Sequence, residues 1–155
     1  MTKTNAMRLL SAAGITYTVK EYTYDESDLS APVDWDSFGV SSEQVFKTLV
    51  MQGASGTHTV CCVPSSLELD LKKTAKASGE KSITLVPVKD IQPLTGYIRR
   101  GCSPIGMKKK YPTFIDETAL LFDTIAINAG ERGFLIILSP EDLAAFIDAK
   151  FADLA

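Results

Sequence analysis

The feature that most restricts how this chain can fold is a pair of β-forming runs joined by a short turn. Residues 45–51 read VFKTLVM and residues 57–63 read THTVCCV, with Gly53 and Gly56 between them. β-Branched and aromatic residues favour strands, and glycine allows the chain to reverse its direction. The pattern predicts an antiparallel hairpin near the middle of the fold and argues against a purely parallel sheet.

Helix signals appear at three places outside this hairpin. Residues 4–13 and 68–78 carry apolar side chains at helical spacing, and a glycine follows each run. Ser139 and Pro140 are typical of a cap and a first turn, so a last helix is expected to begin there. Further strands are predicted at residues 15–24, 113–116, 124–128 and 134–138. Paired strands together with strands separated by helices predict an α+β fold around a mixed sheet.

The segment 25–40 is acidic and has no clear period. It carries five carboxylates, on Asp25, Glu26, Asp28, Asp34 and Asp36. Ser30 and Pro32 are residues that commonly start a helix. We therefore predict one short helix between long loops.

Length, hydropathy and charge limit the class of protein. With 155 residues, 45% of them hydrophobic, the chain suffices for one domain with its own core, expected to span residues 1–155. It has no apolar run of about 20 residues and no signal-peptide core, which predicts a cytoplasmic protein with no membrane partner. Adjacent Cys61 and Cys62 among three cysteines predict reduced thiols. A net charge of −3 argues against the broad positive surface of DNA-binding proteins.

Lys47 lies between apolar neighbours in the first predicted strand. Alternation along a strand places it on the same face as Val45 and Leu49. Two interpretations are open from the pattern alone. The lysine extends from the edge of the sheet to solvent, or it ends in a pocket, where partial burial would let it bind an anion or a carbonyl oxygen.

The densest group of cations lies in the segment 96–110, which reads GYIRRGCSPIGMKKK. Its glycines allow close approach of the backbone, and successive N–H groups in such a turn can form an anion-binding nest or an oxyanion hole. The alternative is a surface loop whose arginines and lysines are only solvated.

Other chemistries have weaker support in the sequence. A cysteine hydrolase would use Cys102, with a pKa lowered by the surrounding cations, and His58 as its base, but nothing in the pattern brings these two together. No spacing typical of metal ligands occurs, so no metal is predicted. Dinucleotide and nucleoside-triphosphate fingerprints are also absent, and no cofactor is predicted.

Four segments in combination resemble the prolyl-tRNA editing domains of the YbaK/EbsC type, which are free-standing deacylases that clear wrongly charged aminoacyl-tRNA. The segments are VFKTLV at 45–50, ELDLKK with AK at 68–76, GYIRRGCSPIG at 96–106 and GERG at 130–133. They occur in the family's order and spacing and cover most of the chain. The resemblance implies a central mixed, largely antiparallel and curved sheet surrounded by helices.

The resemblance also implies a site. Lys47 matches the family's essential lysine, thought to hold the terminal adenosine region and the ester, and this favours the pocket interpretation. Gly101 matches the glycine-rich turn whose backbone contacts the aminoacyl end. The remaining candidate substrate-binding residues are Tyr22, Thr48, Cys102, Ser103, Pro104, Asn128, Gly130 and Leu135. Contacts to tRNA phosphates are expected from Lys72, Lys73, Lys76, Arg99, Arg100, Lys108, Lys109 and Lys110, grouped around one pocket mouth.

The implied activity is trans-editing of Cys-tRNA(Pro) or another mischarged tRNA(Pro). Aminoacyl-tRNA is then the partner, and prolyl-tRNA synthetase is a second candidate partner. Because the residues offer no dependable nucleophile, base or metal, the reaction would be assisted by the substrate's own thiol or ribose hydroxyl, as in relatives. The alternative is a non-catalytic module that binds tRNA ends or a small anion in the same pocket.

The sequence departs from the family where the amino acid is selected. Cysteine-editing relatives have a serine and, seven residues later, an aspartate, where this chain has Asn128 and Leu135. The carboxylate that would meet the substrate's amino group is therefore absent at that position. Arg100 and Glu131 also replace a glycine and a lysine of the family pattern.

Overall fold

A computed structural model describes residues 3–155. Its strands are β1 (Thr18–Glu21), β2 (Val45–Gly53), β3 (His58–Pro64), β4 (Ile83–Leu85), β5 (Thr113–Asp116), β6 (Ile125–Asn128), β7 (Phe134–Leu138) and β8 (Lys150–Ala152). Its α-helices are α1 (Asn5–Ala12), α2 (Leu71–Ser78), α3 (Val88–Thr95) and α4 (Pro140–Ile147). Short 3-10 helices cover Trp35–Phe38 and Glu117–Leu121.

All eight strands belong to one mixed sheet, with the order β1-β7-β6-β2-β3-β5-β8 and with β4 paired to β2. β2 and β3 form the antiparallel hairpin, in which Lys47 lies opposite Val63. β2 pairs with β6 in parallel and with β4 antiparallel. The predicted mixed sheet of an α+β fold is confirmed.

The pairing of β2 leaves a gap in the sheet. β3 occupies one edge of β2 along most of its length. On the other edge, β6 pairs only with Val45 and Phe46, and β4 pairs only from Met51 to Gly53. The middle of β2 therefore has no neighbouring strand on that side, and this gap positions the site described below.

The main core lies on one face of the sheet, beneath α1 and α4. Met7, Leu10, Phe46, Ile127 and Leu143 are fully buried within it. α1 packs there because its apolar side chains recur at helical spacing, and Thr4 caps it by accepting a hydrogen bond from the Met7 amide. α4 begins as the sequence predicts, with Ser139 as its cap and Pro140 in the first turn.

Several predicted boundaries are wrong by a few residues. β1 covers only the middle of residues 15–24. The helix predicted from Ser30 or Pro32 begins instead at Trp35, as a single 3-10 turn. α2 begins at Leu71 rather than at residue 68, because the Asp70 side chain accepts a hydrogen bond from the Lys73 amide and fixes the first turn.

Four elements were not predicted from the sequence: β4, β8, α3 and the 3-10 helix Glu117–Leu121. β4 and β8 are three residues long, too short to show a period. α3 contains Pro93, a residue that normally argues against a helix. Each α-helix within residues 3–155 is eight residues long, too short to traverse a bilayer.

Candidate active site

A cavity of about 640 Å³ opens at the gap beside β2. Residues 45–50 of β2 form one wall, and residues from β4 to Ile91 in α3 form another. The loop that precedes Trp35 covers the cavity, while Arg99, Arg100 and Cys102 enter it from the loop after α3. These parts of the chain, together with Asn128 and Arg132 from the β6–β7 region, meet at the unpaired stretch of one strand.

Lys47 reaches this cavity from the unpaired part of β2 and is half-buried. Burial lowers the pKa of its ammonium, the nearby Glu68 carboxylate opposes that shift, and the Arg100 guanidinium adds to it. Within residues 3–155, Lys47 forms no ion pair shorter than 4.0 Å. The structure therefore contains a partly desolvated cation whose charge is available to a ligand.

The backbone of β2 also presents hydrogen-bonding groups to the gap. The Gln44 carbonyl accepts from Ala126 and the Val50 carbonyl accepts from Val86, both on the gap edge of the strand. Because amide groups alternate between the two edges, the N–H and C=O of Thr48 face the same edge, between these two bonds. Thr48 therefore offers a donor and an acceptor where the sheet has no strand to use them.

The Arg99–Arg100 pair sits in a tight turn at the cavity mouth. The Gly101 amide donates to the Ile98 carbonyl at 3.1 Å, which closes the turn. Arg100, the third residue of this turn, has φ 70°, a left-handed conformation that normally favours glycine. Arg132 joins the pair by donating from Nε to the Arg99 carbonyl at 2.8 Å. The mouth of the cavity thus carries three guanidinium groups.

Gly101 lies behind this mouth, and its own amide is used within the loop. It is buried, and a Cβ atom placed there would lie 3.3 Å from the Arg132 amide nitrogen. The absence of a side chain is what allows the loop to pack against the turn after β6. The amide of the next residue, Cys102, donates to no acceptor within the described part of the chain, and Cys102 lines the cavity.

Other loop residues shape the mouth without lining it. Ser103 is fully buried, and its hydroxyl accepts a hydrogen bond from the Ile105 amide at 3.2 Å. Pro104 is buried beside it. A Cβ atom at Gly130 would lie 2.8 Å from the Tyr97 ring, so this glycine lets the aromatic ring pack against the β6–β7 turn.

An aromatic group borders the cavity near its cover. The Tyr22 hydroxyl donates to Oδ1 of Asn128 at 3.2 Å, and the Tyr22 ring meets Trp35 edge to face with 4.9 Å between ring centroids. Burial raises the pKa of Tyr22. Leu135 is buried in the same cluster as Tyr22 and Val45, so it supports this wall without lining the cavity.

The thiols do not have the properties of a nucleophile. We expected cations to lower the pKa of Cys102, but burial raises it to about 11. Cys62, whose thiol lies 3.8 Å from the Thr48 hydroxyl, has a pKa raised by burial to about 12. His58 packs against Tyr111 and does not line the cavity. Residues 3–155 also contain no group of three or more His, Cys, Asp or Glu side chains placed to hold a metal.

The predicted phosphate contacts divide into two sets. Arg99 and Arg100 line the cavity. The lysines do not, and all of them are exposed: Lys72, Lys73, Lys76, Lys108, Lys109 and Lys110. Lys73 pairs with Asp153 at 3.3 Å, and Lys110 pairs with Asp148 at 3.4 Å. Arg132 and Trp35 also line the cavity, although neither was predicted as a site residue; Arg132 lies in the GERG segment that carries the family resemblance.

Comparisons with known proteins identify the family of this chain. A model of the aminoacyl-tRNA editing domain family matches residues 35–146. The Enterococcus faecalis protein named "Putative Cys-tRNA(Pro)/Cys-tRNA(Cys) deacylase EbsC" is 43% identical over 152 residues, covering 98% of this chain and 93% of that protein. The chain belongs to the aminoacyl-tRNA editing domain family, which confirms the resemblance found in the sequence.

Two solved structures share the fold. One, described as a "putative trans-editing enzyme for prolyl tRNA synthetase", superposes with a TM-score of 0.81 at 25% identity and covers 99% of this chain and 98% of its own. The other, hypothetical protein APE2540, gives a TM-score of 0.82 at 20% identity over 95% of this chain and 96% of its own. At that identity the second match supports the fold alone.

Proposed function

We propose that this protein is a trans-editing deacylase that hydrolyses the ester of Cys-tRNA(Pro) or of a related mischarged tRNA(Pro). The observation that carries the proposal is the half-buried, unpaired ammonium of Lys47 at the gap beside β2. The terminal nucleotide of an aminoacyl-tRNA brings both phosphate charge and an ester carbonyl to such a site. A partly desolvated cation interacts more strongly with these groups than a fully solvated cation does.

The cavity mouth suits the nucleic-acid end of this substrate. Arg99, Arg100 and Arg132 offer planar guanidinium groups, which recognise phosphate oxygens by paired hydrogen bonds. Only residues at this mouth need contact the acceptor end, so an overall net charge of −3 is compatible with tRNA binding. The surface lysines outside the cavity are then candidates for phosphates farther along the acceptor stem.

The reaction requires that the ester carbonyl be polarised as its carbon is attacked. We assign Lys47 and the backbone amides of Thr48 and Cys102 as the donors that stabilise the negative charge developing on the carbonyl oxygen. The bond between the acyl carbon and the ribose oxygen then breaks, the ribose hydroxyl regains a proton, and the amino acid is released. Such preorganised donors are worth about a hundredfold or more in rate each.

The attacking group comes from the substrate or from water. Cys102 stays protonated at neutral pH because burial raises its pKa to about 11, and His58 lies outside the cavity. The protein therefore acts by positioning the ester. Either a water molecule oriented by the ribose hydroxyl attacks the acyl carbon, or the substrate's own thiol attacks it, expels the ribose oxygen and forms a cyclic thioester that water then hydrolyses to the amino acid.

A panel of mischarged tRNAs tests the proposal directly. Wild-type protein should release amino acid from one or more mischarged tRNA(Pro) species, and Lys47→Ala should reduce the rate by at least about a hundredfold while remaining folded. Lys150→Ala, which removes an exposed lysine of β8 that lies outside the cavity and outside the predicted phosphate contacts, is the matched control. Near-wild-type turnover by a folded Lys47→Ala variant would contradict the role of Lys47 in deacylation.

A binding module is the second candidate, favoured by the lack of a histidine or reactive thiol at the cavity. In that case, the protein would bind uncharged and mischarged tRNA ends with no release of amino acid, and Lys47→Ala would weaken binding only. A complex with prolyl-tRNA synthetase and a cytoplasmic location remain predictions; co-purification of the two proteins checks the first.

A further inference from the structure

The loop that covers the cavity contributes two carboxylates to it. Asp25 and Asp28 line the cavity, and each is held by a serine two residues later along the chain. In both turns the serine amide and hydroxyl donate to Oδ1. Among residues 3–155 no donor is hydrogen-bonded to Oδ2 of either aspartate, so each carboxylate is fixed by one oxygen and keeps the other available.

The charges in this cavity are not paired with one another. Its charged lining consists of the two aspartates together with Lys47, Arg99, Arg100 and Arg132. The ion pairs shorter than 4.0 Å in the described part of the chain involve none of these six residues. The acids come from the covering loop and the cations from β2 and two turns, so the cavity holds charges of both signs that form no ion pair with one another.

We propose that Asp28 binds the α-ammonium group of the aminoacyl end of the substrate and thereby selects a free amino acid ester; this inference rests on the proposed function. An aminoacyl end has two charges of opposite sign, an ammonium on the amino acid and phosphates on the nucleotide. The four cations of the lining attract the phosphates and repel the ammonium. A carboxylate in the cavity offsets that repulsion.

Asp28 is the better placed of the two aspartates. Hydrogen bonds from Ser30 lower the pKa of Asp28, and the Arg100 guanidinium lowers it further, which places this carboxylate in the field of the cavity mouth. Asp25 also borders a second, smaller groove outside the cavity. Because the turn already fixes the Asp28 side chain, binding of an ammonium at its free oxygen costs little additional conformational entropy.

Binding of two matched analogues separates this role from a general electrostatic effect. The probes are 3′-amino-3′-deoxyadenosine 5′-monophosphate acylated on its 3′ nitrogen with alanine or with lactic acid. The two have the same shape, but the lactyl compound carries a hydroxyl in place of the ammonium, and neither is an ester. Calorimetric titration at pH 6.5 gives the ratio of their dissociation constants.

Wild-type protein should bind the alanyl analogue about five- to tenfold more tightly than the lactyl analogue, the scale of one exposed charged hydrogen bond. Asp28→Asn keeps the serine turn and should reduce this ratio to within about twofold of unity. Asp34→Asn is the matched control, because Asp34 lies on the same loop but outside the cavity and makes no cap hydrogen bond. It should keep the wild-type ratio.

Three results would overturn the inference: no preference in the wild-type protein, an unchanged ratio in Asp28→Asn, or a ratio abolished by Asp25→Asn instead. A thermal melt of each variant verifies that it is folded. The measurement uses no hydrolysis, so failure of the deacylase proposal in the tRNA panel remains distinguishable from failure of ammonium recognition.

Discussion

The hydroxyl of Tyr22 donates to Oδ1 of Asn128 at 3.2 Å, a bond between residues that are 106 positions apart in the chain. It links the start of the covering loop to the end of β6, and both residues line the cavity. The wall of the site therefore depends on a contact between the ends of β1 and β6, which are brought together only when the chain folds.

Removal of this hydrogen bond should be detectable as a coupling energy between Tyr22 and Asn128 in the free energy of unfolding. Tyr22→Phe and Asn128→Ala should each lower the free energy of unfolding, with a coupling energy of about 1 kcal/mol in the double variant. Urea denaturation of the four proteins measures it. Tyr24→Phe is the control, because the Tyr24 hydroxyl makes only an exposed 3.5 Å contact to Glu26. Strict additivity would mean that the bond contributes nothing.

The left-handed backbone conformation of Arg100 should cost free energy that a glycine at this position would not cost. At φ 70° a side chain is disfavoured by about 1 kcal/mol. Arg100→Gly should therefore be more stable than Arg100→Ala by about that amount, while both lose the same guanidinium and bind AMP equally weakly. Chemical denaturation and calorimetry measure the two quantities. Equal stability of the two variants would contradict the strained turn.

The pKa of Lys47 should move in opposite directions in two variants. Glu68→Gln removes the charge that raises this pKa and should lower it further, whereas Arg100→Gln removes a charge that lowers it and should raise it. Titration of the Lys47 Cε resonance by NMR in selectively labelled protein gives each value. A shift of the same sign in both variants would place Lys47 away from one of these charges.

The same lowered pKa has a consequence for stability. The pKa of Lys47 is lower in the folded protein than in the unfolded chain. At neutral pH the lysine is charged in both states, and its destabilising effect on the folded state is full. This effect fades as the pH rises from the folded pKa to the unfolded pKa, because the folded state then binds fewer protons. Lys47→Met should therefore raise the free energy of unfolding at pH 7, and the gain should shrink toward pH 10. A variant less stable than wild type at pH 7 would show that the ammonium makes compensating contacts.

Cys102 should be dispensable as a reactive group. With its pKa near 11, the thiol is almost entirely protonated at pH 7, and iodoacetamide should modify it far more slowly than it modifies free cysteine. Cys102→Ser should retain most deacylase activity. Loss of activity with a trapped acyl-enzyme would instead establish a cysteine nucleophile.

The cations should differ in their contribution to tRNA binding. Arg99→Gln should flatten the slope of log affinity against log salt by about one unit, since this guanidinium lies at the cavity mouth. Lys73→Gln should flatten it less, because Asp153 already partly neutralises that lysine. If charge reversal at both Lys73 and Lys109 leaves affinity and slope unchanged, the lysines belong to the solvated surface only.

The local sequence determined those elements that are encoded by neighbouring residues, such as turns and helix caps. The hairpin of β2 and β3 follows from β-forming runs around a glycine turn. α4 begins at Pro140 because Ser139 caps the helix and proline is favoured in its first turn. The family resemblance also pointed to Lys47, which the structure places in the cavity.

Tertiary structure decided how these elements combine to form the site. The cavity exists because β4 and β6 pair with opposite ends of one edge of β2, and β4 is too short to have a recognisable period. Burial, which depends on the whole fold, raises the pKa of Cys102 where its charged neighbours in sequence suggested the reverse. The covering loop brings Asp28 to the same cavity as Lys47 although the two residues belong to different segments. Sequence patterns report periodicity over a few residues, whereas a site is made by contacts between distant segments, and those contacts are fixed only when the sheet assembles.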